Sequence, residues 1–261
     1  VHDSLELCTF FLFMDNLLRV SSTLSTNDDA YQLALDGAEH GFGVIAEIQL
    51  GGKGRLGKTW ASPAQSGLYC SIILRPQLAF SEFPKLTLTA GLALCSAVEV
   101  LLPDVAFGLK WPNDLFSGGQ KCGGILVESS SNATDDDLFV VVGIGLNVNT
   151  TPDMFPSEIK QKATSLHILS GQVFDLTHLY NSIHDALLTR INIHEKQGFE
   201  SILREWRRRD ILFGKEMQWV TREKKIITAC GMGPNEKGEL LAKDRNGRIY
   251  EILSGDVKLA E

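Results

Sequence analysis

The chain has 261 residues, 44% of them hydrophobic, and a formal net charge of -7. That length buries the core of one large domain, or of one large and one small, while the acidic balance excludes general electrostatic binding to DNA, RNA or an anionic membrane surface. Cys8, Cys70, Cys95, Cys122 and Cys230 form no C-x-x-C pair and no metal-ligand spacing, so neither a disulfide framework nor structural zinc is expected; a reducing, cytoplasmic compartment fits best, with an organellar form left open.

The first apolar run, "LCTFFLFMDNLLRV" (7–20), is interrupted by Asp15 and Asn16. It is too short to span a bilayer, lacks the basic start and small-residue cleavage site of a signal peptide, and reads as an N-terminal strand or packed segment. Ser25-Thr26-Asn27 ahead of Asp28, Asp29, Ala30, Leu33, Ala34 and Ala38 predicts a capped amphipathic helix ending at Gly41. Strands follow at 44–50 and 68–75, with a Gly-rich loop between them. From Glu82 to Leu102 the apolar residues keep a helical period that Pro103 stops. Three more strands are expected at 105–111, 121–129 and 138–148, the first two joined through "PNDLFSGGQ", a turn-rich hairpin connection. Helices are predicted at 176–198 and 199–210, broken at Gly198.

From Lys215 onward short runs alternate with Gly, Pro and Asn, and Asn246-Gly247 carries the type I′ hairpin signal. The pattern as a whole is α+β, helices around a largely antiparallel sheet, with a small β appendage. The expected division is 1–213 and 214–261, its boundary near Gly214.

The chemistry centres on "GGKGRLGKTW" (51–60). Gly52 to Thr59 matches a P-loop, and Gly52, Gly54 and Gly57 alone match the dinucleotide fingerprint. A P-loop needs a helix starting at its Gly-Lys-Thr, and Pro63 in the second turn of such a helix costs roughly 3 kcal/mol. The dinucleotide reading also lacks its acidic ribose ligand, since the stretch after Arg75 offers Gln77 first. Lys53, Arg55 and Lys58 remain, three cations on an unusually free backbone in an acidic chain. That concentration suits an anionic ligand, against the plainer alternative of a solvated hairpin loop.

The same loop, read on as "GGKGRLGKTWASP", resembles the ligand loop of biotin protein ligases, G-R-G-R-x-G-x-x-W. "KWPNDLFSGGQKCGGILVE" (110–128) is similar to the family's K-W-P-N-D, Lys and G-I-L-x-E signature, "GIGLNVN" (143–149) to its G-I-G-x-N-x-N, and Ser25-Thr26-Asn27 to its S-T-N. Order and spacing agree across roughly residues 25 to 150, and "TSL" (164–166) and "GDVKL" (255–259) extend the likeness.

The resemblance implies the biotin–lipoate ligase fold, like that of class II aminoacyl-tRNA synthetases, with a C-terminal SH3-like barrel. It implies an enzyme that activates biotin with ATP and magnesium to biotinyl-5′-AMP and transfers it to a lysine of a carboxylase's biotin acceptor domain. Lys121 and Arg55 become the catalytic candidates, because an anionic carboxylate must attack an already anionic phosphate. The biotin contacts implied are Ser25, Thr26, Asn27, Gln49, Gly52, Lys53, Gly54, Arg55, Lys121, Gly124 and Gly145, the last two as close-approach glycines on facing strands. The nucleotide contacts implied are Arg55, Lys58, Trp60, Asn113, Lys121 and Asn147, with Asn147 as adenine reader.

Alternatives stay beside these roles. Thr26 or Asn27 also suits helix capping, Trp60 a hydrophobic anchor for the loop's end, and Asn113-Asp114 an Asx turn; Asp114 is the carboxylate candidate for magnesium. Lys53 keeps the charge of the family's Arg without its bidentate fork. Cys122 is given no chemistry and Trp111 a place in the core, while His178, His184 and His194 fall on helix faces. Too few residues precede Ser25 here for the DNA-binding domain of the family's repressors, which disfavours a repressor role; from the acidic charge no nucleic-acid or membrane partner is expected, and a homodimer stays open. The competing functions are a lipoate or octanoate ligase of the same fold and a non-catalytic biotin-binding sensor.

Overall fold

The computed structural model describes residues 11–14, 16–130 and 138–253. Cys8, Asp15 and the 255–259 motif lie outside the described residues. An N-terminal hairpin pairs β1 (Phe11–Met14) with β2 (Leu17–Thr23), and α1 (Thr26–Leu35) then crosses to β3 (Gly43–Gln49), which runs parallel to β2. Next come β4 (Gly67–Leu74), α2 (Leu86–Leu101), β5 (Phe107–Lys110), β6 (Asp114–Ser117), β7 (Gln120–Ser129) and β8 (Val140–Asn147). The sheet order is β1-β2-β3-β4-β8-β7-β6-β5, with every pairing except β2 and β3 antiparallel.

Both faces of this sheet are covered, so its central strands read as unbroken apolar runs. All eight residues of β4 are buried. On one face α1 lays Ala30 and Ala34 against Val20, Val44, Ala46, Ile73 and Val141. On the other pack α2, α4 (Leu176–Gln197) and α5 (Phe199–Arg207), with Leu92, Leu94, Ile183, Leu187 and Trp206 at the centre. Truncating one such leucine to alanine costs roughly 2–5 kcal/mol.

Several elements depart from the sequence expectation. α1 stops at Leu35 rather than Gly41. A 3-10 turn over Phe80–Lys85, containing Pro84, precedes α2. The connection from 112 to 120 holds a strand of its own, β6, so two hairpins stand where one was expected. A short helix, α3 (Leu166–Ser170), is capped by Ser165, which accepts from the Ile168 amide.

The tail forms β9 (Glu216–Val220), β10 (Ile226–Pro234), β11 (Leu240–Lys243) and β12 (Ile249–Glu251), an antiparallel SH3-like sheet. It closes through the Thr221–Ile252 bridge. Its last turn is not type I′: Gly247 takes φ 83° but Asn246 is absent from the positive-φ residues, and Asp244 instead accepts from the amides of Asn246 and Arg248. Side-chain hydrogen bonds from the larger part of the chain reach this sheet. Trp111 Nε1 donates to Gly238 O at 3.0 Å, and the Arg207 guanidinium donates twice to Pro234 O.

Candidate active site

Strand register lays out the floor of the site. Lys110 pairs with Asp114, Asp114 with Gly124, Gly124 with Gly145 and Gly145 with Tyr69, so these five residues form one row across β5, β6, β7, β8 and β4 on the face that carries α1. The two glycines leave a slot in mid-row, beneath a cavity of about 220 Å³. Gly124 and Gly145 therefore sit on adjacent strands, not facing ones. No bulge involves either; the register shift lies between Leu115 and Phe116.

One end of the cavity is polar and buried. Thr26 donates from both its amide and Oγ1 to Gln49 Oε1, at 2.9 and 3.2 Å, and Gln49 Nε2 donates to Ser62 Oγ. Asn27 is spread over three strands: Ser71 Oγ donates to its Oδ1 at 2.6 Å and its Nδ2 donates to Glu128 Oε2 at 2.7 Å. The amide lies on Gly143, where an added Cβ would stand 2.0 Å from Asn27 Oδ1. These tertiary partners win over local capping, and α1 has no side-chain cap bond.

The other end carries charge. Lys121 Nζ lies 2.6 Å from Asp114 Oδ1, and Arg55 Nη1 donates to Asn113 Oδ1 at 3.4 Å. Asn113 is more than an Asx turn, since its Nδ2 donates to Ile125 O while its own carbonyl accepts from the Ile125 amide. Burial holds the Arg55 pKa below its ordinary value, and Asp114 opposes that shift; a guanidinium stays charged regardless. The backbone of Lys121 is pinned by residues 162–164: its amide donates to Lys162 O and its carbonyl accepts from the Thr164 amide.

Over both ends folds the 51–60 loop. Lys53 bridges to Thr59, Trp60 N donates to Gly52 O, and a 3-10 turn over Arg55–Gly57 forms the tip, with Leu56 at φ 57°. No helix follows Thr59, which removes the P-loop reading. The Trp60 indole lies on the glycine slot, so close that a Cβ on Gly145 would stand 2.5 Å from the ring. Lys121 Nζ is 5.3 Å from the ring centre, and the indole Nε1 is buried with no partner.

The sequence pattern of the Biotin/lipoate A/B protein ligase family matches residues 19–147. Over 235 residues the chain is 33% identical to the bifunctional ligase/repressor BirA of Bacillus subtilis, covering 90% of this chain and 71% of that one. It is 31% identical over 242 residues to the biotin–[acetyl-CoA-carboxylase] ligase of Mycobacterium tuberculosis, covering 91% and 86%. The chain belongs to the biotin protein ligase family. Among solved structures, the Aquifex aeolicus biotin protein ligase in complex with biotin and ATP superposes with a TM-score of 0.80 at 30% identity, over 95% of this chain and 99% of that one. The Leishmania major enzyme in complex with biotinyl-5-AMP, at 22% identity and a TM-score of 0.63, shares the fold over 93% and 100%.

For a biotin protein ligase, the placement of the expected residues is uneven. Ser25, Thr26, Asn27, Gln49, Lys53, Gly54, Arg55, Lys58, Trp60, Asn113, Lys121, Gly124 and Gly145 all line the one cavity. Gly52 sits behind it, with Trp60 O 2.5 Å from where its Cβ would be. Asn147 does not line it: the side chain is buried and one Nδ2 hydrogen goes to Thr164 O at 2.9 Å. Its first role is thus to hold the segment that pins Lys121. Lys53 is ion-paired with Asp28, and Asp114 Oδ1 with Lys121. Burial pushes the Cys122 thiol up to about 12, leaving it no nucleophilic use. His194 is fully buried, bonded to Thr89 Oγ1, rather than on an open helix face. Sequence reasoning missed Lys110, Gly143, Ser71 and Glu128; the quoted K-W-P-N-D, G-I-G and G-I-L-x-E runs contained all of these but Ser71.

Proposed function

We propose that this biotin protein ligase joins the carboxylate of biotin to the α-phosphate of ATP, then passes the biotinyl group to a lysine amine on the acceptor domain of a carboxylase. The observation that carries the reading is the convergence of Lys121 and Arg55 at one end of a two-glycine slot whose other end is a fixed hydrogen-bonding set. A flat fused ring fits over Gly124 and Gly145 once the Trp60 indole that lies on them moves aside. At the polar end Gln49 Oε1 is saturated by Thr26, and Nε2 uses one hydrogen on Ser62, so the second is left for a carbonyl such as that of a ureido group.

In the first step two anions meet, and a half-buried site strengthens the cations that hold them together. Lys121 acts as a point charge between carboxylate and phosphate, and Arg55 offers a planar fork. In the second step the same ammonium opposes the charge that leaves on AMP when the acceptor amine attacks the mixed anhydride. Among the described residues no group of three His, Cys, Asp or Glu side chains converges. Magnesium takes one or two carboxylates and otherwise phosphates and water, so the ion would arrive on the phosphates of ATP.

The test is incorporation of labelled biotin into an acceptor domain with ATP and magnesium. Wild-type protein labels the domain, and Lys121→Ala, still folded, does not. Equal ligation of lipoate would overturn the assignment to biotin, and tight biotin binding with no labelling would make the chain a binder.

A further inference from the structure

Adenylation also releases pyrophosphate, whose charge must be met somewhere on the protein. Besides Lys110, four cations line the cavity and none is free: Lys121 meets Asp114, Lys53 meets Asp28 and Arg55 meets Asn113, and Lys58 is engaged as well. Lys110 lines the same cavity. Among the described residues no carboxylate and no hydrogen-bond acceptor meets its ammonium, which lies 5.4 Å from the centre of the Phe116 ring. It is half-buried at the C-terminal end of β5.

Its position in the row gives that free charge a direction. Lys110 is two strands from Gly124, with Asp114 between them, or about 10 Å at the usual strand spacing. A triphosphate with its α-phosphate at Lys121 would meet Lys110 if it followed the row away from the glycine slot. We propose that Lys110 binds the β- and γ-phosphates of ATP and holds pyrophosphate as it departs. This rests on the ligase reading and adds a residue to its first half-reaction only. A carboxylate oxygen of biotin forms the bond to the α-phosphorus, the bond from that phosphorus to the bridging oxygen breaks, and the electron pair leaves on pyrophosphate. No proton moves. Negative charge grows on the bridging oxygen and the β-phosphate, so a cation there binds the transition state more strongly than the ground state.

The experiment compares Lys110→Met, Lys110→Gln and Lys110→Arg in the intact protein. One assay follows biotin-dependent exchange of labelled pyrophosphate into ATP. The other follows transfer from synthetic biotinyl-5′-AMP to the acceptor domain, where pyrophosphate takes no part. The two neutral variants should lose exchange by about ten- to a hundredfold, with raised KM for both ATP and pyrophosphate. Arginine should recover most of it, and transfer should stay within about twofold of wild type. Wild-type exchange in both neutral variants, or equal losses in the two assays, would overturn the assignment. Wild-type protein that makes no biotinyl-5′-AMP would instead overturn the ligase reading, and this one with it.

Discussion

Replacing Gly143 by alanine puts a methyl group 2.0 Å from Asn27 Oδ1 and 2.8 Å from its Cγ. The amide cannot yield cheaply, because Ser71 holds its oxygen at 2.6 Å and Glu128 its nitrogen at 2.7 Å. Overpacking costs about 1–3 kcal/mol; losing one neutral hydrogen bond and one to a carboxylate adds about 1 and 1.5–3 kcal/mol. Allowing for overlap between these, the expected loss is about 3–5 kcal/mol, which lowers the melting temperature on the order of 10 °C. Gly124→Ala is the control: its methyl would meet only the end of Lys121 at 3.3 Å and Trp60 at 3.4 Å. That variant should keep its stability to within about 1 kcal/mol and lose biotin binding, because the methyl stands in the slot. Thermal unfolding followed by circular dichroism, with calorimetric titration of biotin, separates the two. If Gly143→Ala melts within about 1 °C of wild type, Asn27 is not held as described and the reasoning fails.

Three further outcomes are expected. Asn147→Ala strips the buried Thr164 carbonyl of its donor, costing about 1–3 kcal/mol in urea unfolding; an unchanged midpoint would show that residues 162–164 are held some other way. The Asp210 carboxyl is raised by burial from 3.8 to about 6. The folded chain thus keeps a proton there that the unfolded chain has lost, and this contribution to stability is full below about pH 4 and lost as pH rises through 6. Asp210→Asn should then stabilise by up to about 3 kcal/mol at pH 7.5 and by little at pH 4, and melting curves showing no such pH difference would contradict it. Trp60 covers the glycine slot, Trp111 lines the same cavity but is buried, and Trp206 and Trp219 are fully buried, so biotin should change the indole emission of wild type and change that of Trp60→Phe much less. A full response in that variant would place the ligand elsewhere.

What could be read in advance follows from the range of the forces involved. β4 and β8 were visible because strands buried on both faces need continuous apolar residues. β6 was not, because Asp114–Ser117 is four residues flanked by Asn113 and Gly118-Gly119, and turn chemistry masks so short a strand. Local rules likewise suggested capping for Thr26 and Asn27; the partners that claim them, Gln49, Ser71 and Glu128, lie 23 to 101 residues away. Motif likeness gathered most of the cavity's residues, yet Asn147 looked like a ligand contact because Thr164, its actual partner, is 17 residues on. The pairing of Lys53 with Asp28 spans 25 residues and carries no sequence signal.

Those pairings neutralise two of the cations lining the resting cavity, Lys121 and Lys53, and leave Arg55 on the neutral amide of Asn113 and Lys110 over Phe116. A phosphate or a small carboxylate drifting in meets Lys121 and Lys53 already satisfied by Asp114 and Asp28, and must displace a tethered carboxylate that is present at a high local concentration. Only a molecule anchored elsewhere, by a ring over the glycines, stays long enough to make the exchange. At these two lysines an incoming anion therefore competes with a tethered carboxylate, and what it gains is the difference between two ion pairs rather than a whole one.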